Sequence, residues 1–185
     1  MLNRRAAIAA AIILVAAATA LLAMGRNPIC TCGSVDLWVG ARDSPRTSQM
    51  LIDWYSLSHI VHGLLFYAAL WLVARRVPVA WRFVIALAIE AGWEVIENTP
   101  MIIDRYRATT AALGYTGDSV INSLSDISMM AIGFFAARKL PVWASILLLI
   151  MLETIPLFVI RDNLALNIVQ LLAPNPALQA WQAGG

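Results

Sequence analysis

Two histidines and a row of carboxylates recur at helical spacing inside the most apolar parts of this chain. His59 and His62 are three residues apart, so they share one face if their segment is helical. Glu90, Glu94 and Glu97 follow at i, i+4 and i+7, which places them within roughly 60° of one another on a second helix. Histidine pairs at this spacing ligate metals, shuttle protons or form structural hydrogen bonds.

Two further segments carry polar side chains at a similar depth. Asp118, Asn122 and Asp126 recur every four residues. Asp118 can be explained as a helix N-cap, whereas Asp126 lies about two turns further along and cannot. Glu153 lies seven residues before the end of the last long apolar stretch, at about the level of Asp126. Carboxylates gathered at one depth repel, so they must hold protons, pair with arginine or surround a cation.

These residue types define a candidate site with three kinds of role. The candidate acid–base residues or ligands are His59, His62, Glu90, Glu94 and Asp126. The candidate metal ligands are His59, His62 and Glu94, so a divalent metal is the candidate cofactor. The candidate residues for binding or steering a polar head group are Arg105, Arg107, Asp118, Asn122, Glu153 and Arg161.

The elements that must position these side chains are membrane-spanning helices. The sequence is 61% hydrophobic and 13% charged, with a mean hydropathy of +0.75, which excludes an ordinary soluble domain. A span needs roughly 20 apolar residues, and its backbone must be hydrogen-bonded internally, so each span is a helix. We expect one integral membrane domain over residues 1–185, with five spans at about 6–24, 57–74, 81–97, 119–137 and 142–160.

Two shorter segments are predicted to lie at the membrane surface. A capping residue followed by Pro100 predicts an amphipathic helix over about 100–112. The run from Leu164 to Leu172 is too short to span and is expected to be interfacial or re-entrant. The predicted fold is therefore all-α, a polytopic bundle of about five transmembrane helices with one or two short interfacial helices.

Basic residues predict the orientation of the bundle. Three alternate connections contain arginine or lysine and no acidic residue, at positions 4–5, 75–82 and 138–139. The positive-inside rule places these connections in the cytoplasm. This predicts a multi-pass protein of the bacterial inner membrane with a cytoplasmic N-terminus and a periplasmic C-terminus. All eleven acidic residues and both histidines then fall in or beside the outer half of the membrane.

The expected partners follow from this placement. The lipid bilayer surrounds the bundle, and a lipid or phosphate-bearing ligand is expected at its outer face, where several arginines are available to steer it. No nucleic-acid partner is expected. The remaining outer acidic residues are interpreted as ordinary loop charges, namely Asp36, Asp43, Asp53, Asp104 and Asp162.

Two features near the N-terminus have alternative interpretations. A single residue separates Cys30 from Cys32, which disfavours a mutual disulfide and favours two small apolar side chains. An intermolecular bridge or a soft-metal contact is the alternative. The first span could be a signal peptide, although its length and the lack of a clear cleavage motif favour an uncleaved helix.

The motifs around these residues resemble a family of small bacterial multi-pass membrane proteins of unknown function. The likeness covers nearly the whole chain and rests on residues 53–63, 93–98, 104–107, 114–123 and 161–164. It implies residence in the inner membrane and no particular activity. A fainter likeness of pattern and order links the chain to VanZ-like membrane proteins. It rests on His62-Gly63, Glu90 with Glu94, and Gly117-Asp118 with Asn122 and Asp126, and it implies that these residues form one site.

Three classes of function remain open at this point. The first is an outward-facing intramembrane site that binds a metal or a lipid head group and carries out hydrolytic or transfer chemistry. The second is a proton- or ion-coupled transporter, which is disfavoured because the inner half of the bundle is almost free of ionisable groups. The third is a structural or assembly protein in which buried polar side chains join the helices.

Overall fold

Eight α-helices and their connecting loops form the computed structural model, which describes residues 3–112 and 114–184. The predicted all-α class is confirmed. The helices are α1 (Arg4–Ala23), α2 (Ser56–Val73), α3 (Val79–Glu97), α4 (Pro100–Thr109), α5 (Val120–Lys139), α6 (Val142–Ile160), α7 (Leu164–Leu172) and α8 (Pro176–Gln182).

The five predicted spans correspond to the five longest helices. Four of these, α1, α2, α5 and α6, are long and apolar enough to cross a membrane, so the multi-helix membrane character is confirmed. The helix α3 has 19 residues but carries Arg82, Glu90, Glu94 and Glu97. It contacts α1, α2 and α5, and its crossing of the membrane stays a prediction.

Two glycines allow α2 and α5 to pack with their backbones in contact. A Cβ atom on Gly63 would lie 2.0 Å from the carbonyl oxygen of Met130, and one on Gly133 would lie 2.0 Å from that of Ile60. Small residues permit such close approach between membrane helices. The surrounding apolar core consists of Ala17, Phe83, Ala86, Leu87, Ala91, Ile127, Met130 and Phe134.

The short helices interlock with one another beyond the ends of the long ones. Arg105 of α4 donates two hydrogen bonds to the carbonyl oxygen of Leu171 in α7, at 3.0 and 2.8 Å. The helix predicted over about 100–112 is observed as α4, which ends at Thr109, and the predicted short segment is α7. The position of both helices at the membrane surface stays a prediction. The helix α8 was not predicted, although Asn175 caps it and Pro176 occupies its first position, which is a recognisable start signal.

Asp53 is buried at the start of α2, so its interpretation as a loop charge is wrong. Its carboxylate accepts hydrogen bonds from the N–H groups of Ser48 at 2.7 Å and Tyr55 at 2.8 Å. A third, longer bond comes from Ser56 at 3.4 Å. Since the first N–H groups of a helix have no partner within it, Asp53 stabilises the beginning of α2.

Asp162 is also buried rather than solvated, so the same interpretation is wrong there. Its carboxylate accepts hydrogen bonds from the backbone of Asn163 and from the side chains of Tyr55, Asn167 and Gln182. Burial raises the pKa of Asp162 to about 6. The residue connects the start of α2 to α7 and α8.

Cys30 and Cys32 form a disulfide, so the prediction of two unpaired thiols is wrong. The chain turns sharply here, because the N–H of Gly33 donates to the carbonyl oxygen of Cys30 at 3.0 Å. The turn brings the two Cα atoms to 5.1 Å, which is within the usual range for disulfides.

Candidate functional site

Both histidines of α2 meet one carboxylate of α3. The Nδ1 atom of His59 lies 2.5 Å from Oε1 of Glu90. The Nδ1 atom of His62 lies 3.1 Å from each oxygen of the same carboxylate. Glu90 is fully buried, so the imidazole rings take the place of water around it. The helical spacing on α2 therefore does bring the two rings to Glu90.

Two more carboxylates flank His59. The Oε1 atom of Glu94 lies 3.4 Å from Nδ1 of His59 and is buried without a hydrogen-bond partner among the described residues. On the other side of the ring, Oδ2 of Asp126 lies 3.8 Å from Nε2. The other oxygen of Asp126 accepts a 2.6 Å hydrogen bond from Ser56. A buried polar atom without a partner is costly, and a bound cation would satisfy the Glu94 oxygen.

Two sets of these side chains have the spacing of metal ligands. In the first set, His59, His62 and Glu90 each offer one ligand atom within 4.8 Å of the others. In the second set, the ligand atoms of His59, Glu94 and Glu97 also lie within 4.8 Å of one another. Imidazole with carboxylate suits first-row transition metals, whereas magnesium and calcium prefer oxygen ligands alone. The residues present therefore fit a metal such as zinc.

A cavity of about 300 Å³ runs beside these side chains. Phe66 and Ile89 line one end of it, and the ring of Phe66 stacks on His62 with centroids 5.7 Å apart. Ile89 is 49% exposed, so this end is open at the apolar surface of the bundle. The helix α7 adds an apolar wall, since Leu164, Ile168 and Leu171 line the cavity.

The other end of the cavity is polar and lies near the loop that precedes α5. Asp118 accepts hydrogen bonds from the Tyr115 hydroxyl at 2.8 Å and from the Asn98 side chain at 2.7 Å. Burial raises the pKa of Asp118 to about 6, so this carboxyl is mostly ionised at pH 7.5. Burial raises the pKa of Tyr106 and Tyr115 well above the usual value, so both phenols keep their protons.

Glu153 does not join this cluster. Its carboxylate accepts hydrogen bonds from the backbone N–H groups of Leu164 at 3.3 Å and Ala165 at 3.0 Å. Glu153 therefore holds the first turn of α7, which is a wall of the cavity. Asn122 likewise binds backbone, because its side-chain amide donates to the carbonyl oxygen of Met50 at 2.8 Å.

The three arginines considered for an anionic head group donate to backbone carbonyl oxygens. Arg105, Arg107 and Arg161 donate to these carbonyls at distances between 2.6 and 3.0 Å. The acceptors belong to Leu171, Tyr115 and Trp181, respectively. None of the three arginines lines the cavity.

Part of the cavity lining was not predicted from the sequence. Glu97 was not among the candidate site residues, yet it lines the cavity and is hydrogen-bonded to Tyr106. Its position at i+7 from Glu90 was the available signal, because residues seven apart share a helix face. Trp93, Tyr106 and Tyr115 also line the cavity, and no spacing in the sequence connects them.

Four helices long and apolar enough to cross a membrane, with a buried cluster of histidines and carboxylates from α2, α3 and α5, define a helical membrane protein. Residues 21–184 match the family described as "Protein of unknown function (DUF2585)", and the chain belongs to that family.

Curated relatives agree with this assignment. A UPF0314 protein of Paracoccus denitrificans is 54% identical over 172 residues, covering 93% of this chain and 89% of the relative. A UPF0314 protein of Rhizobium etli is 49% identical over 172 residues, covering 93% of this chain and 88% of the relative. A UPF0314 protein of Novosphingobium aromaticivorans is 51% identical over 170 residues, covering 89% of this chain and 86% of the relative. No solved structure matches the chain.

Proposed function

We propose that this protein is a membrane-embedded metalloenzyme that carries out hydrolysis or group transfer on an amphiphile taken from the bilayer. His59, His62 and Glu90 would hold a divalent transition metal at the cavity wall. The observation that carries the proposal is the convergence of these three side chains, from two helices, beside an open cavity. The unpartnered oxygen of Glu94 supports it, because a second cation-binding group lies beside the same ring.

In this proposal the substrate and a water molecule would be activated by the metal, and Asp126 would move the proton. A bound divalent metal would polarise the bond to be broken and favour ionisation of an attacking water. Asp126 lines the cavity beside His59 and is placed to accept the proton of that water. In hydrolysis the water oxygen bonds to the electrophilic atom, the bond to the leaving group breaks, and the same proton is returned to the leaving group.

The setting proposed for this chemistry is the periplasmic side of the bacterial inner membrane. The basic connections at positions 75–82 and 138–139 support this orientation, since they flank the helix ends remote from the cavity. The cavity would then open towards the outer leaflet through Ile89 and towards the periplasm through the loops around Asp118.

A structural role is the second candidate, and a specific observation favours it. Buried polar side chains join different elements directly, as in the 2.6 Å hydrogen bond from Ser56 to Asp126 and the 2.7 Å bond from Asn98 to Asp118. Such bonds stabilise membrane bundles without any catalysis. Under this role, Glu90 would only hold the two imidazole rings in place.

Calorimetric titration of zinc into metal-free protein in detergent micelles separates the two roles. We expect the wild type to bind one ion, and Glu90→Gln or His62→Ala to weaken binding by at least about tenfold. Affinity should also fall as the pH is lowered, because the metal displaces protons from the imidazole–carboxylate contacts. The matched control is Asp104→Asn, which makes the same change at a side chain that is 74% exposed.

The titration has two outcomes that overturn the metal role. One is the absence of zinc binding by folded wild-type protein. The other is unchanged affinity in Glu90→Gln when the variant melts well below the wild type, which would leave the structural role as the better account.

A further inference from the structure

The charged groups that line the cavity are all acidic or histidine. The carboxylates are Glu90, Glu97, Asp118 and Asp126, and among the described lining residues there is no lysine or arginine. An anionic head group would meet these carboxylates without a basic partner from the protein. A cationic group is favoured instead, since opposite charges attract strongly where water is partly excluded.

Aromatic rings accompany the carboxylates at the polar end. Tyr55, Trp93, Tyr106 and Tyr115 line the cavity, and the rings of Tyr106 and Tyr115 pack edge to face with centroids 5.3 Å apart. Aromatic faces attract ammonium groups, and combinations of rings with carboxylates bind quaternary ammonium ligands. The lining is therefore complementary to an ammonium group in both charge and surface.

The order of the lining residues along α3 sets the shape of the ligand. Ile89 lies at the apolar end, Glu90 is beside it, and Glu97 is about 10 Å further along the helix, at the polar end. The volume of about 300 Å³ is at the lower limit for ligand pockets, which favours one hydrocarbon chain over two.

We propose that the ligand of this cavity is a single-chain amphiphile whose head group carries an ammonium. Its chain would lie against Phe66 and Ile89, and its ammonium between Glu97, Asp118 and the tyrosines. The proposal rests on the proposed function, because the bond to be broken would lie between these two parts, beside His59, His62 and Glu90.

Photo-crosslinking in lipid nanodiscs tests this assignment. Three probes would share one dodecyl chain with a terminal diazirine and carry a trimethylammonium, a phosphate or a glycerol head group. We expect the ammonium probe to label Phe66 or Ile89, in metal-free and in zinc-loaded protein. Its labelling should exceed that of the other two probes by about tenfold, which corresponds to about 1.4 kcal/mol.

Variants at the polar end test whether the carboxylates cause the preference for the ammonium probe. Glu97→Gln and Asp118→Asn should each remove most of the preference for the ammonium probe, whereas the exposed control Asp104→Asn should keep it. Both substitutions preserve an oxygen acceptor, and melting temperatures would identify any variant that fails to fold. The double variant Glu97→Gln/Asp118→Asn strengthens the test where one carboxylate compensates for the other.

The outcomes distinguish this inference from the proposed function. Equal labelling by the glycerol probe, or stronger labelling by the phosphate probe in metal-free protein, overturns the ammonium assignment even if zinc binds. An ammonium preference that depends on Glu97 or Asp118 supports the assignment, and it does so even if the zinc titration fails. Labelling confined to residues outside the cavity overturns the assignment as well.

Discussion

The contact between α2 and α5 leads to a direct test of how the site is assembled. Substituting Gly63 by alanine would place a Cβ atom 2.0 Å from the carbonyl oxygen of Met130 and 2.5 Å from the backbone nitrogen of Phe134. Both neighbours are backbone atoms and cannot rotate away. The two helices must therefore separate by about 1 Å or more to restore a normal contact distance.

The expected magnitude follows from two opposing effects. Overpacking a close contact costs about 1–3 kcal/mol, and the backbone clash here favours the upper end of that range. Alanine is a better helix former than glycine by up to about 1 kcal/mol, which offsets part of the cost. We expect Gly63→Ala to lower the free energy of unfolding by about 2 kcal/mol.

Gly92 provides the matched control, because it is also helical and a Cβ atom there would meet nothing within 4 Å. Gly92→Ala should be neutral or slightly stabilising. Both variants would be compared with the wild type by unfolding in mixed detergent micelles. Equal stability of the Gly63→Ala and Gly92→Ala proteins would refute the close packing of α2 on α5. It would also refute the packing that brings His59 of α2 next to Asp126 of α5.

Two further predictions concern the end of the bundle that carries the short helices. Glu153→Ala should lower the protection of the α7 amides against hydrogen exchange, with a cost of about 1 kcal/mol, because Leu164 and Ala165 lose their acceptor. The free energy of unfolding should rise as the pH falls from 8 to 4. Asp162 has a pKa of about 6 in the folded protein and 3.8 in the unfolded chain, so the folded state binds the proton more tightly. The contribution is about 3 kcal/mol. Asp162→Asn should weaken the dependence of the melting temperature on pH, while Asp118, whose pKa is also about 6, continues to contribute in the same range.

The long helices were predictable because membrane burial leaves a strong record in the sequence. Runs of apolar residues bounded by basic loops or turn residues predicted the five longest helices to within two residues at every end. The short helix α8 was not predicted, although Asn175 and Pro176 form its start signal. A helix of seven residues is too short to show an apolar periodicity of its own.

The candidate site was predictable only in part. Helical spacing correctly grouped His59 with His62 and placed Glu90 and Glu94 on one face, because spacing alone determines these relations. Depth along the helix placed Glu153 level with them, but depth does not determine the direction in which a side chain points.

Loop residues could not be assigned from the sequence in the same way. Asp53 and Asp162 were interpreted as solvated, yet both are buried, because the loops fold over the ends of the helices. The carbonyl partners of Arg105 and Arg161 depend on the positions of α7 and α8, which follow from tertiary packing and not from local pattern.

X-ray absorption spectroscopy of the zinc-loaded protein tests the central claim most directly, since it reports the atoms bound to the metal. We expect two imidazole nitrogens at about 2.0 Å from the zinc together with carboxylate oxygen. The imidazole signal should be reduced in His62→Ala and unchanged in Asp104→Asn. A zinc environment that contains sulfur, or oxygen alone without imidazole, would contradict the assignment of His59, His62 and Glu90 as the metal site.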